Sequence, residues 1–236
     1  MANNERMIWD LLMKQIGNPY GVAGLMGNLY AESGLNPKNL QNSFNKKLKL
    51  TDEEYTSKVD DGSYKNFVKD GAGYGLAQWT YHTRKQALLK YAQSTHTSIG
   101  DILTQLEFLW KELQKYSSVL KVLKNAKSIR EASDAVLTKY EKPTNQSESV
   151  KKKREKYGIN IYERQNNTVT KYVRVNRTSV YVRSGPGTTY EKVGVAFKGK
   201  MFELIDIDKK SGWYHICFSE VCDGWITNKY TSIFEG

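Results

Sequence analysis

The sequence predicts an α+β protein in two parts, an all-α domain over residues 1–165 and a small all-β barrel over 166–236. Three observations predict it. Apolar residues recur with the helical period through the first two thirds of the chain, and after about residue 165 the period drops to two. Between the regimes lies a polar joint, Arg164-Gln165-Asn166-Asn167-Thr168, which has no apolar anchor and reads as a short linker. With 236 residues, 39% of them hydrophobic, each part has material for its own core.

The helical elements follow in order. Residues 5–16 set Ile8, Leu11, Leu12 and Ile16 on one face. Next, Val22, Leu25, Met26 and Leu29 form a stripe on a helix that Gly34 and Pro37 bring to an end. Thr51 with Glu54, and Ser128 with Glu131, have capping-box spacing, in which a hydroxyl and a carboxylate satisfy orphan helix N–H groups reciprocally. Residues 98–115 carry the strongest pattern, with Ile99, Ile102, Leu103, Leu106, Leu109, Trp110 and Leu113 on the core face. The helix begun at Ser128 stops before Pro143, and the run Lys151-Lys152-Lys153-Arg154 reads as the solvated face of a late helix.

The strands come next. Tyr172-Val173-Arg174-Val175, Ser179-Val180-Tyr181-Val182-Arg183 and Phe202-Glu203-Leu204-Ile205-Asp206-Ile207 alternate between Gly, Pro and Asn punctuation. Roughly 70 residues in five or six short strands predict a small barrel, the architecture that removes exposed strand edges.

Composition excludes several function classes. No apolar run is long enough for a membrane span, and Met-Ala-Asn-Asn-Glu-Arg is not an export signal. Cys217 and Cys222 are too few for a disulfide framework and lack the paired spacing of a zinc site. His82 and His96 stand alone, so neither metal nor cofactor is expected. The net charge of +11 implies an anionic partner. That excess is spread, with 25 basic and 18 acidic residues over 1–163 and 11 and 7 over 164–236, so a nucleic-acid patch is not expected. His215 and Cys217 share a strand face, but a Cys/His dyad needs an orienting third group and the sequence shows none.

Two elements carry chemistry. Glu32 sits in the last turn of its helix, at the negative end of the dipole and beside apolar neighbours, which disfavours an ionised carboxylate and suits a general acid. Later, Gly71-Ala72-Gly73-Tyr74-Gly75-Leu76-Ala77-Gln78-Trp79-Thr80 combines three glycines, two aromatics and an amide, a composition suited to holding sugars. Together, Asn28-Leu29-Tyr30-Ala31-Glu32-Ser33-Gly34-Leu35-Asn36-Pro37, Tyr74-Gly75-Leu76-Ala77-Gln78-Trp79-Thr80 and Arg84-Lys85 resemble the phage tail-type lysozymes, and through them the goose-type lysozymes and lytic transglycosylases. The resemblance covers roughly residues 5–163. It implies a lysozyme-like fold, cleavage of the β-1,4 bond between N-acetylmuramic acid and N-acetylglucosamine in peptidoglycan, and Glu32 as the catalytic acid. It also implies that Tyr74, Gln78, Trp79 and Thr80 line the saccharide cleft. For a water-activating base, Asp60, Asp61 and Asp70 lie on the polar segment between the motifs, with Asp60 and Asp70 the first to consider. Six acidic residues between Ser33 and Gly75 favour hydrolysis over transglycosylation.

In the second part, Val180-Tyr181-Val182-Arg183-Ser184-Gly185-Pro186-Gly187 with Gly212-Trp213-Tyr214 and Gly224-Trp225-Ile226 resembles the bacterial SH3-like cell-wall-binding domains. Tyr181, Arg183, Trp213 and Trp225 are candidate wall-binding residues, although each Trp also suits a core. The two resemblances imply a phage endolysin acting on Gram-positive walls, with teichoic acids as further anionic ligands. Such a protein waits in the host cytoplasm for a holin pore or travels in a phage tail. The rival readings are a noncatalytic wall-adhesion protein and a basic nucleic-acid-binding protein.

Overall fold

The computed structural model describes residues 2–166, 171–219 and 222–235, and the chain divides into two compact units, Met1–Gln165 and Asn166–Gly236. In the first, the described helices are α1 (Ala2–Ile16), α2 (Pro19–Ser33), α3 (Asn42–Leu48), α4 (Asp52–Asp60), α5 (His82–Ser94), α6 (Ile102–Leu113), α7 (Ser117–Asn125), α8 (Ile129–Ala135) and α9 (Glu148–Asn166). A π-helical turn, Val136–Glu141, continues α8.

Helix α2 is the hub. Every residue from Gly21 to Leu29 is buried, and its three glycines recur every third position, so each can seat a different neighbour. A Cβ at Gly21 would meet the Leu123 carbonyl of α7; at Gly24 it would lie 2.5 Å from Ala132 Cβ of α8; at Gly27 it would lie 2.5 Å from the Arg154 carbonyl and 2.7 Å from the Gly158 nitrogen of α9. The atoms met are backbone atoms or an alanine Cβ, none of which can yield by a side-chain rotation. Gly27→Ala is therefore expected to lower stability by about 1–3 kcal/mol, read from the melting temperature, and to reduce lysis because α9 must shift. An unchanged melting curve would show that the close approach is not needed.

Local signals hold where their partners are near. The Thr51–Glu54 capping box is complete. At Ser128 only half forms, because Glu131 accepts from the Lys127 N–H instead of the Ser128 N–H. Helix α6 begins at Ile102, later than the apolar pattern predicts, because the Asp101 side chain caps it by accepting from the Thr104 N–H; Leu103 then faces solvent at 48% exposed. The expected linker is also corrected. Arg164 and Gln165 belong to α9, where both hold Glu5 of α1, a polar anchor in place of an apolar one; Asn167 and Thr168 lie outside the described residues.

The second unit has seven described strands: β1 (Lys171–Val175), β2 (Ser179–Arg183), β3 (Lys192–Phe197), β4 (Met201–Ile207), β5 (Tyr214–Ser219), β6 (Cys222–Ile226) and β7 (Thr231–Glu235). This is one more than the largest number expected, because β7 pairs with β1 from the far end of the unit, a match that local periodicity does not reveal. All the pairings are antiparallel, in the order β3-β2-β6-β5-β4-β1-β7. Strands β1 and β2 stand four ladders apart, about 19 Å in a flat sheet. Yet Val173 and Val175 share one core with Val180 and Val182, so the sheet curls into a small barrel.

Candidate active site

Glu32 owes its position to the end of α2. Gly34 takes the left-handed conformation (φ 63°) and its N–H donates to the Tyr30 carbonyl, which stops the helix one turn after the buried run. The adjacent Ser33 hydroxyl lies 3.0 Å from the Leu76 carbonyl, tying the helix end to the glycine-rich loop. That loop hangs on buried Gln105, which accepts from the Leu76 N–H at 2.8 Å and lies 2.6 Å from the carbonyls of Pro37 and Ile99. Gln78 sits at φ 45°, a strained backbone for a residue with a side chain, and its amide offsets the strain with contacts to Asn39 O and Oδ1 at 3.0 and 2.9 Å.

Glu32, Ser33, Gly34, Asn39, Gln41, Asn42, Ser43 and Gln78 line a cleft of about 560 Å³. Of the residues expected there, Gln78 is present. Tyr74 and Trp79 are not, since both are fully buried. The glycines let the loop fold tightly enough to turn these rings inward: Tyr74 OH pairs with Thr56 Oγ1, and Trp79 Nε1 donates to Glu112. Burial opposes ionisation of Glu112, but Arg84, Trp79 and Tyr140 together hold its carboxyl below the ordinary value. Thr80 is exposed and donates to the Gln78 carbonyl, steadying the loop from outside the cleft lining. Asn39, Gln41, Asn42 and Ser43 escaped the sequence reading, since polar residues after a proline look like any turn.

The acidic residues between the two motifs are engaged elsewhere. Asp70 is a buried partner of Lys85 at 2.6 Å and accepts from Tyr55 OH at 2.6 Å. Asp60 accepts from Ser98 and the Ile99 N–H, pinning the turn before α6. Asp61 closes a turn onto Ser63, Asp52 holds Leu40 and Asn45, Glu53 pairs with Lys38, and Glu54 completes its capping box. None of the six lines the cleft beside Glu32.

Two other residues do adjoin Glu32. Arg154, expected on a solvated face, is instead buried and lies 2.5 Å from Glu32 Oε1 and 2.8 Å from Glu141 Oε2. Buried Asn28, four residues before Glu32, helps seat the guanidinium: Arg154 Nη1 lies 3.2 Å from its carbonyl and 3.3 Å from Oδ1. Lys152 and Lys153 are exposed as predicted, whereas Lys151 is half-buried and Arg154 turns inward.

Comparison with protein families gives two matches, the phage tail lysozyme model over residues 3–164 and the bacterial SH3 domain model over 178–232. The chain belongs to the phage tail lysozyme family. Comparison with curated proteins returned no match. This phage tail lysozyme is a peptidoglycan-lytic enzyme with an SH3 domain for binding the bacterial cell wall.

In the SH3 domain the four expected wall-binding side chains differ in setting. Tyr181 is exposed at 49%, with Lys192 Nζ 3.9 Å from its ring centroid. Arg183 Nη1 donates to the Tyr190 carbonyl at 2.6 Å, bracing the Gly185-Pro186-Gly187 turn. Trp213 is half-buried, as is Trp225, which stacks on His215 with centroids 4.6 Å apart and planes 8° from parallel. Of the Cys217–Cys222 pair, the Cys222 side chain lies outside the described residues.

Proposed function

We propose that the helical domain cuts the glycan strand at the β-1,4 bond between N-acetylmuramic acid and N-acetylglucosamine, with Glu32 as general acid, while the SH3 domain holds it on Gram-positive walls. One observation carries the reading. Glu32 is the carboxylate in a cleft otherwise lined by amides, hydroxyls and a glycine, groups that complement the N-acetyl and hydroxyl groups of an amino-sugar chain. The cleft volume of about 560 Å³ is within the range of small-ligand sites. The net charge of +11 supports teichoic acid phosphates as auxiliary ligands, and the tether raises the local concentration of the catalytic domain at the wall.

The second half of the reaction has two routes. Inverting hydrolysis needs a carboxylate base about 6.5–9.5 Å from the acid to hold the attacking water. The engagement of Asp52, Glu53, Glu54, Asp60, Asp61 and Asp70 in other contacts favours the alternative, attack by the substrate's own C6 hydroxyl. Digestion of purified peptidoglycan followed by mass spectrometry is then expected to give 1,6-anhydro-muropeptides, lighter by one water than hydrolysis products. Reducing N-acetylmuramic acid ends as the main product would restore hydrolysis and require a base.

A further inference from the structure

Three side chains from three distant parts of the chain meet next to the cleft: Glu32 at the end of α2, Glu141 at the end of the π-helical turn, and Arg154 on α9. Arg154 bridges the other two. Its side chain is 9% exposed and that of Glu141 is 7% exposed, whereas Glu32 reaches the cleft at 24%. With both acids ionised the cluster would hold two negative charges and one positive charge in a largely dry place. Such a surplus is costly.

Glu141 has the weaker claim on a charge. Arg154 Nη1 is near, at 2.8 Å, but off the hydrogen-bonding direction, so within the described residues both buried Glu141 oxygens lack a hydrogen bond. Burial raises the Glu141 carboxyl to about 8; Arg154 opposes the rise, the negative charge of Glu32 adds to it, and Arg84 opposes it from α5. Arg84 is itself held by Glu112 of α6 and by Tyr140.

We propose that Glu141 is a positioning residue that, through Arg154, keeps a proton available to Glu32: the two carboxyls share one proton and one guanidinium. In the reactive arrangement the proton is on Glu32 and the Glu141 carboxylate occupies Arg154. The Glu32 O–H bond then breaks, its proton bonds to the glycosidic oxygen, and its electron pair stays on Glu32, whose new charge Arg154 takes up. When the C6 hydroxyl oxygen then bonds to C1, its O–H bond breaks and that proton passes to the Glu32 carboxylate, which restores the starting state. Without Glu141, Arg154 would serve Glu32 alone and favour its ionised form, which cannot donate. The inference rests on Glu32 being the proton donor, and its test can fail separately from that reading.

The test is the pH profile of peptidoglycan cleavage by the full-length chain, comparing wild type with Glu141→Gln. Dividing one rate by the other removes the titration of the wall itself. The alkaline limb of the variant is expected to move down by at least one pH unit, so that it loses about tenfold at pH 8 and under about twofold at pH 5. Glu141→Asp, which keeps the charge, should restore the limb. A second readout is stability. A carboxyl raised in the folded state contributes stability that is complete below its ordinary value near 4.5 and lost as pH rises through about 8. Wild type is thus expected to lose melting temperature across that window, and the Gln variant to lose less. Should Glu141→Gln fail to fold, carboxyl carbon NMR on the wild-type chain decides instead: two coupled steps for Glu32 and Glu141 support sharing, and independent titrations overturn it. A uniform loss of rate at every pH, with the limb unmoved, would leave Glu141 a merely structural group. An active Glu32→Gln would instead remove the reading beneath the inference.

Discussion

Glu32→Gln is expected to abolish wall lysis, with a fall of at least about 10²–10⁴-fold, the range of general acid catalysis. The amide keeps the shape of the carboxyl and deletes its transferable proton. Folding should survive the change. Arg154 retains Glu141 as a partner at 2.8 Å and keeps its contacts to Asn28, so no buried charge is left alone. Wall binding should survive as well, because it is assigned to the SH3 domain. Turbidity clearance and a pull-down on intact walls read the two properties separately. Normal clearance by the variant would take Glu32 out of the chemistry, whereas loss of both clearance and binding would mean that the substitution damaged more than a proton donor. Retained binding with no clearance also separates an enzyme from the wall-adhesion reading, which has no lytic activity to lose.

Asp70→Ala is expected to cost about 3–5 kcal/mol of stability, the largest effect on folding foreseen for a single residue here. Lys85 is fully buried and Asp70 nearly so, at 0% and 6% side-chain exposure. The carboxylate also accepts from Tyr55 OH, Tyr64 OH and the Ala72 N–H, so its loss takes an acceptor from four donors at once. Burial already draws the Lys85 ammonium below its ordinary value, and Asp70 is what holds it up. For a domain of this size the loss corresponds to a drop in melting temperature of roughly 6–20 °C. Replacing the pair together, Asp70→Leu with Lys85→Met, should recover much of it, since an apolar pair of similar volume carries no desolvation penalty. If Asp70→Ala melts like wild type and yet fails to lyse walls, Asp70 acts in the chemistry as the sequence first indicated.

The features legible in the sequence are those whose physics closes within a few residues. The Thr51–Glu54 capping box, the Gly34 stop after Glu32 and the end of the π-helical turn before Pro143 each depend on neighbours along the chain. The change of period near residue 165 marks the passage from helices to strands for the same reason, because it reports which side chains one element turns inward. The string around Glu32 and the glycine-rich loop could therefore be recognised, and so could the family they belong to. What each side chain of those strings does was decided by elements far away. Trp79 is held inward by Glu112, which Tyr140 braces, and Asp70 is drawn into the core by Lys85. Arg154 comes to Glu32 from 122 positions later because Gly27 of α2 admits α9 at backbone distance. In the sequence Arg154 is one of four consecutive cations, indistinguishable from its three lysine neighbours. A charge becomes structural or catalytic only through what surrounds it, since desolvation and pairing are properties of a packed neighbourhood, and that neighbourhood exists only once the chain has folded.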